Sequence, residues 1–157
     1  MDELNSFIMN DLWKIIILKI PKEKKLDKVI EAIANYFKIE KCSLLIKNQD
    51  SYVIVASTGI SKKIIDLTNI KVGDGISGMA VKEKKAIFMR KMSITSNRDL
   101  WTDYKTDNFI SYPIESNGEI IGILNLTDRR DDRGFSDRDI EAITPIIERI
   151  KYILEGN

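Results

Sequence analysis

Few residues of this chain are of a type and spacing that could carry chemistry. The stretch "KVGDGISGMA", Lys71 to Ala80, spaces Gly73, Gly75 and Gly78 as G-x-G-x-x-G. That pattern cradles a pyrophosphate when it follows a buried strand, opens a long helix and precedes an acidic residue about 20 positions on. Upstream, "IIDLTNIKV" leaves room for no more than a short extended piece. Downstream, "ISGMAVKEKK" allows about two or three helical turns before the next apolar run at Ala86, too little for a parallel crossover. No acidic residue stands at a strand end where the ribose would need it. A kinase-type glycine loop would need a histidine-containing catalytic loop. The glycines therefore read as a structural turn: two permit a tight entry into a helix and the third permits close packing.

The chain has no histidine and one cysteine, Cys42. Ser-His and Cys-His nucleophile pairs and imidazole metal ligands are thereby excluded. A lone cysteine forms no internal disulfide, which suits a reducing compartment. Catalysis would have to come from carboxylate, lysine or tyrosine groups, and no convergent set of these stands out. The segment "DRRDDRGFSDRD", Asp128 to Asp139, lacks the alternating carboxylates of a calcium loop and carries four arginines, so it reads as a solvated, salt-bridged loop. The sequence predicts no catalytic residue, no metal site and no cofactor; it is not expected to be an enzyme.

Composition bounds the rest. The 157 residues are 43% hydrophobic and 31% charged, with 25 basic and 24 acidic side chains. One soluble globular domain fits these figures, and no large field favours nucleic acid. The apolar run Leu12 to Ile20 holds two lysines and falls short of the roughly 20 residues that span a bilayer. The opening "MDELNSFIMND" is acidic and has no small-residue cleavage site, so a cytoplasmic location is expected.

Helices at both ends and strands between them are needed to place these groups. Leu4, Phe7, Ile8, Leu12, Ile15 and Ile16 recur at helical spacing until Pro21. Leu26, Val29, Ile30, Ile33 and Phe37 form a second stripe, separated from the first by the exposed turn "PKEKK". "CSLLIKN" and "SYVIVAST" read as a hairpin joined by "QD", and "AIFMRKM" as a further strand. In "NFISYPIESNGEIIGILNLTD" two apolar runs meet at Asn117-Gly118, the pair that tolerates positive φ in a tight turn. Ser136, followed by Asp137 and Asp139, is placed to cap a terminal helix that runs toward Leu154, with Pro145 bending it.

Three blocks, "GDGISGMAVKEKKAIF", "YKTDNFISYPIESNGEIIGILNLTD" and "GFSDRDIEAI", occur in an order that resembles the GAF domain family, small-molecule sensors of signalling proteins. The likeness runs from about Leu26 to Leu154. It implies an α+β, GAF/PAS-like fold: an antiparallel sheet of about six strands, terminal helices packed on one face and a ligand pocket on the other. Bilin attachment needs a cysteine in the late loops, where none exists, and haem ligation by histidine is excluded. The family's free methionine sulfoxide reductases relay between several cysteines, and one cannot relay. Of the cyclic-nucleotide signature, Asn125, Phe135 and Asp139 match, while Leu126 and Ile140 replace its lysine and glutamate. The overall resemblance is to GAF domains regulating bacterial transcription activators, histidine kinases and cyclic-di-nucleotide enzymes.

These readings give a single domain over residues 1–157: a dimerisation helix over 1–20, a helix and sheet core over 25–135 and a signalling helix over 136–155. Phe88, Arg90, Trp101, Tyr104 and Ser111 are expected to bind a small polar or planar ligand under the segment Lys91 to Asn108, with Arg90 holding an anionic group. Trp101, Tyr104 and Phe109 read equally as stacking or as core and lid residues. Ile140, Ile143, Ile147, Ile150 and Leu154 are expected to form the seam of a parallel homodimer, bundled with the first helix; the alternative is a stripe buried within one chain. The expected function is a cytoplasmic regulatory domain whose ligand shifts the helix arrangement of the dimer. Its rival is a dimerisation module with a filled pocket. Direct contact with nucleic acid or membrane is not expected, and any output domain is expected outside this chain.

Overall fold

Two tight hairpins fix the sheet. In the computed structural model, which describes residues 2–89, 108–129 and 134–156, β1 (Ile39–Asn48) turns through Gln49, at φ 61°, into β2 (Ser51–Thr58). The second hairpin joins β5 (Phe109–Ser116) to β6 (Glu119–Arg129) through Asn117 at φ 52° and Gly118 at φ 80°. Two consecutive positive φ values define the turn whose twist matches that of the flanking strands. The short strands β3 (Ile70–Lys71) and β4 (Ile87–Met89) complete a six-stranded sheet of order β3-β2-β1-β6-β5-β4 with every neighbouring pair antiparallel. The α+β architecture expected from the sequence is what the chain forms.

Strand alternation gives the sheet two unlike faces. Cys42, Leu44, Ala56, Ile110, Ile114, Leu124 and Leu126 point to the larger core, which three helical layers cover. The first is a continuous N-terminal run: α1 (Glu3–Ser6), a π-helical stretch (Phe7–Leu12) and α2 (Trp13–Ile16). It buries Phe7, Ile8, Leu12 and Ile16, as the periodicity predicts. The second, α3 (Lys22–Phe37), buries the whole predicted stripe from Leu26 to Phe37. Its first turn also closes the preceding helix, because Lys25 Nζ donates to the Ile16 carbonyl at 2.6 Å. The third, α6 (Asp137–Leu154), starts with a reciprocal cap: Ser136 Oγ accepts from Asp139 N at 3.1 Å, and Asp139 Oδ2 accepts from Ser136 N at 2.8 Å.

The helix α6 stripe has a different destination from the expected one. Ile143, Ile147 and Ile150 are buried in the chain's own core, and Ile140 and Leu154 pack against the same core. A residue already enclosed by its own chain has no surface left for an intermolecular seam. The exposed large apolar side chains among the described residues are Met9, Trp13, Ile17 and Leu18 of the first helix and its end, Tyr152 of α6, and Ile64, Leu67, Val72 and Phe88. One further element was not predicted: α4 (Lys62–Leu67), capped by Ser61, buries none of its residues and so leaves no apolar periodicity to find. No described helix is long and apolar enough to cross a membrane.

Because Ile143 is wholly enclosed, Ile143→Ala is expected to cost about 2–5 kcal/mol through lost contacts and a residual cavity. Chemical denaturation measures that loss. The midpoint shift should be the same at low and high protein concentration, whereas an interface residue would give a concentration-dependent one.

Candidate functional site

The second face of the sheet is smaller and mixed in character. Leu45, Tyr52, Ile120 and Ile123 form a compact apolar cluster there with Val81 of α5 (Gly75–Glu83). The Tyr52 hydroxyl donates to the Ile120 carbonyl at 2.7 Å, and burial pushes its phenol above the ordinary range. One step along the strands the floor turns polar. Register pairs Ser43 of β1 with Ser57 of β2 on one side and with Asn125 of β6 on the other. Asn125 in turn faces Ser111 of β5. Residues directly opposite in antiparallel strands share a face, so Ser57, Ser43, Asn125 and Ser111 make one neutral polar row across four strands.

Helix α5 adds a fifth group. Ser77 Oγ accepts from Asn125 Nδ2 at 3.0 Å, donates to Asn125 Oδ1 at 3.2 Å and accepts from Ser111 Oγ at 3.4 Å. The glycine motif explains how Ser77 reaches the floor. Gly73 and Gly75 adopt φ of 90° and 57°, and Gly73 N donates back to the Gly78 carbonyl at 2.8 Å. A Cβ on Gly78 would stand 2.5 Å from the Lys71 carbonyl oxygen, so only glycine lets the helix start this close to β3. The three glycines thus hold the first turn of α5 against the sheet, which is the structural reading made from their flanks.

Of the residues expected to bind a ligand, Ser111 lies in this row and is almost fully buried. Phe88 does not: it pairs with Ile110, which faces the helices, so Phe88 stands on the opposite side of the sheet and is 43% exposed. Arg90, Trp101 and Tyr104 lie outside the described residues. The expectation missed Ser43, Ser57 and Ser77 altogether and took Asn125 only as one match to a signature. The alternation Lys41, Ser43, Leu45 against Cys42, Leu44 carried the missing signal, since it sets a hydroxyl at an inward position.

Cys42 is on the helix face, fully enclosed, and burial alone raises its thiol well above the usual range. No group of His, Cys, Asp or Glu able to hold a metal ion occurs among the described residues.

A family model for the GAF domain matches residues 23–155. The chain belongs to the GAF domain family. Similar solved structures include the GAF domain of an Acinetobacter phosphoenolpyruvate-protein phosphotransferase, 13% identical with a TM-score of 0.83 over 99% of this chain and 95% of that one. The corresponding GAF domain from Coxiella burnetii is 19% identical, with a TM-score of 0.78 over 98% of this chain and 94% of that one. A free methionine-R-sulfoxide reductase from Neisseria meningitidis, solved with its substrate, is 14% identical, with a TM-score of 0.78 over 97% of this chain and 88% of that one. None of the curated proteins matches the chain in sequence. The fold is therefore shared with GAF domains of phosphotransferases and with a methionine sulfoxide reductase.

In this GAF domain the thiol lies across the sheet from the polar row, in its protonated form. Iodoacetamide at pH 8 is expected to leave Cys42 unmodified in the native protein and to alkylate it completely in denaturant, as intact mass spectrometry would show. Rapid native-state labelling would contradict the enclosed thiol.

Proposed function

We propose that this GAF domain is a cytoplasmic regulatory module. It takes a small molecule on the sheet face opposite the terminal helices and passes its occupancy to those helices in a homodimer. The observation that carries the reading is the neutral polar row Ser57–Ser43–Asn125–Ser111 set beside the apolar cluster of Leu45, Tyr52, Ile120 and Ile123. Polar side chains set into a buried floor fix the orientation of a bound molecule, whereas packing alone would favour aliphatic ones there.

A physical route from that floor to the chain's last helix supports the second half. Ser77 sits in the first turn of α5, and Lys84, just past its end, donates from Nζ to the Gly118 carbonyl at 2.7 Å. In the same hairpin, Ser116 Oγ donates to the Glu155 carboxylate at 2.8 Å, and Lys22 Nζ donates to the Leu154 carbonyl at 3.4 Å. A ligand that favours one position of α5 would shift the population of α6 positions through these contacts. Association of two copies would use the first helix, where Met9, Trp13 and Ile17 are exposed and the Trp13 ring lies 5.9 Å from that of Tyr152. Catalysis forms no part of the proposal, since a thiol relay has no second cysteine to receive it.

A second reading rests on the Leu45–Tyr52–Ile123 cluster, which fills part of the same face with the chain's own side chains. On that reading the domain is a dimerisation module without a ligand.

A thermal-shift panel of cyclic nucleotides, 2-oxo acids, amino acids and purines separates the two. A ligand at 100 times its dissociation constant adds about 2.7 kcal/mol to the native state. At about 2–4 °C per kcal/mol for a domain of this size, that is a rise of several degrees. Asn125→Ala is expected to abolish the rise. No rise across the panel favours the module without a ligand.

Sedimentation velocity tests the dimer. Trp13→Asp sets a carboxylate in the middle of the exposed apolar stripe and is expected to leave a folded monomer with unchanged circular dichroism. A wild-type protein that stays monomeric at high micromolar concentration removes the homodimer from the proposal.

A further inference from the structure

Ser43 and Ser57 are the two members of the polar row without a side-chain hydrogen bond among the described residues, and of the two Ser43 is the buried one. It is 4% exposed, and its hydroxyl has no hydrogen-bond partner among the described residues. The other buried polar side chains among the described residues all have one. Ser51 donates to the Asn48 carbonyl and Thr127 to the Asn108 carbonyl. Ser111 and Ser77 share the Asn125 network, and Asn108 is also engaged. A buried hydroxyl with no partner carries a desolvation cost that an alanine in its place would not. Nothing among the described residues removes this cost, and a bound molecule would.

Its neighbours define what that partner can be. Asn125, directly opposite and half-buried, gives Ser77 one amide hydrogen and one oxygen lone pair, which leaves a second donor and a second acceptor unused by Ser77. Opposed side chains have Cβ atoms about 4.5–5.5 Å apart, a separation that a single carboxamide or a pair of neighbouring hydroxyls spans. No member of the row is ionisable. Lys41, one row further along β1 on the same face, already has a partner of its own. Among the described residues the row offers an anion no counter-charge, whereas a neutral group with both donor and acceptor satisfies Ser43 and Asn125 together.

We propose that the part of the ligand held on this floor is uncharged, an amide- or hydroxyl-type group that exchanges hydrogen bonds with Ser43 and Asn125, and that Ser43 sets this selectivity. The inference rests on the sensor reading above and narrows it. A site built to hydrogen-bond such a group rejects the isosteric analogue that cannot answer it.

Matched pairs of probes differing only in that group test it on the full chain: nicotinamide against nicotinate, asparagine against aspartate, glutamine against glutamate. Melting curves are recorded with each probe for the wild type, Ser43→Ala and Asn125→Ala. The expected result is a dose-dependent rise with a neutral member and none with its anionic partner. Ser43→Ala should lose that rise while melting, unliganded, at or above the wild-type temperature. Equal rises from both members of a pair, or a rise that survives Ser43→Ala, overturn the assignment and leave the sensor reading standing. Unliganded Ser43→Ala melting well below wild type would mean that the hydroxyl is satisfied within the chain, and also overturns it. If neither these pairs nor the wider panel shifts the wild type, the sensor reading fails and this inference fails with it.

Discussion

The register of β6 is the constraint on which the rest of this domain depends. The strand pairs on both sides, with β1 over Ile39–Ile46 and with β5 along its whole length. Its phase is set by the Asn117–Gly118 turn, whose paired positive φ values admit one hairpin register. A slip of one residue would turn Leu124 and Leu126 out of the helix-covered core and Asn125 into it. Both faces are therefore specified by a single turn. Gly122 adds a steric lock, because a Cβ there would lie 2.8 Å from the Leu45 carbonyl oxygen and 3.5 Å from Leu154.

From that register follows a division of labour between the two sides of the sheet. The helix face gathers most of the buried apolar side chains, and with them most of the hydrophobic stabilisation. Lysines at the start of α3 reach the last carbonyls of both the first and the last helix, so the three helical layers meet at one end. The other face contributes a smaller cluster and keeps hydroxyl and amide groups in its floor. A face that does not carry the main core can hold groups whose burial is unfavourable, because the fold tolerates their cost.

Much of this organisation was legible in the sequence, for physical reasons that can be named. Asn117-Gly118, the Ser136 cap and the stripe from Leu26 to Phe37 are local signals, and local signals survive without knowledge of the tertiary fold. The glycine motif was also legible, since its flanks excluded a phosphate cradle; what they did not reveal was Ser77 between the second and third glycines. Misplaced residues failed at longer range. The face that Phe88 occupies depends on its pairing with Ile110 across 22 positions of chain, in a strand of three residues with little alternation of its own. The α6 stripe shows that an apolar band announces burial without naming what buries it. Ser43 escaped notice because a serine in a strand is unremarkable until register sets it beside Asn125.

The resemblance between Gly73–Gly78 and a nucleotide loop shows how one steric requirement serves two unlike ends. A phosphate loop uses glycine so that backbone N–H groups can approach an anion. Here the same freedom lets the chain approach itself: the Gly73 N–H that would have met a phosphate donates to the Gly78 carbonyl instead. With that donor occupied and Asp74 at the mouth of the turn, its carboxylate accepting from Lys71 N at 3.2 Å, the loop presents negative charge rather than a nest for it. The glycine spacing is thus a way of bringing a helix onto a sheet at short range. Its chemical consequence lies within the motif, where Ser77, between the second and third glycines, meets Asn125 beside the buried Ser43.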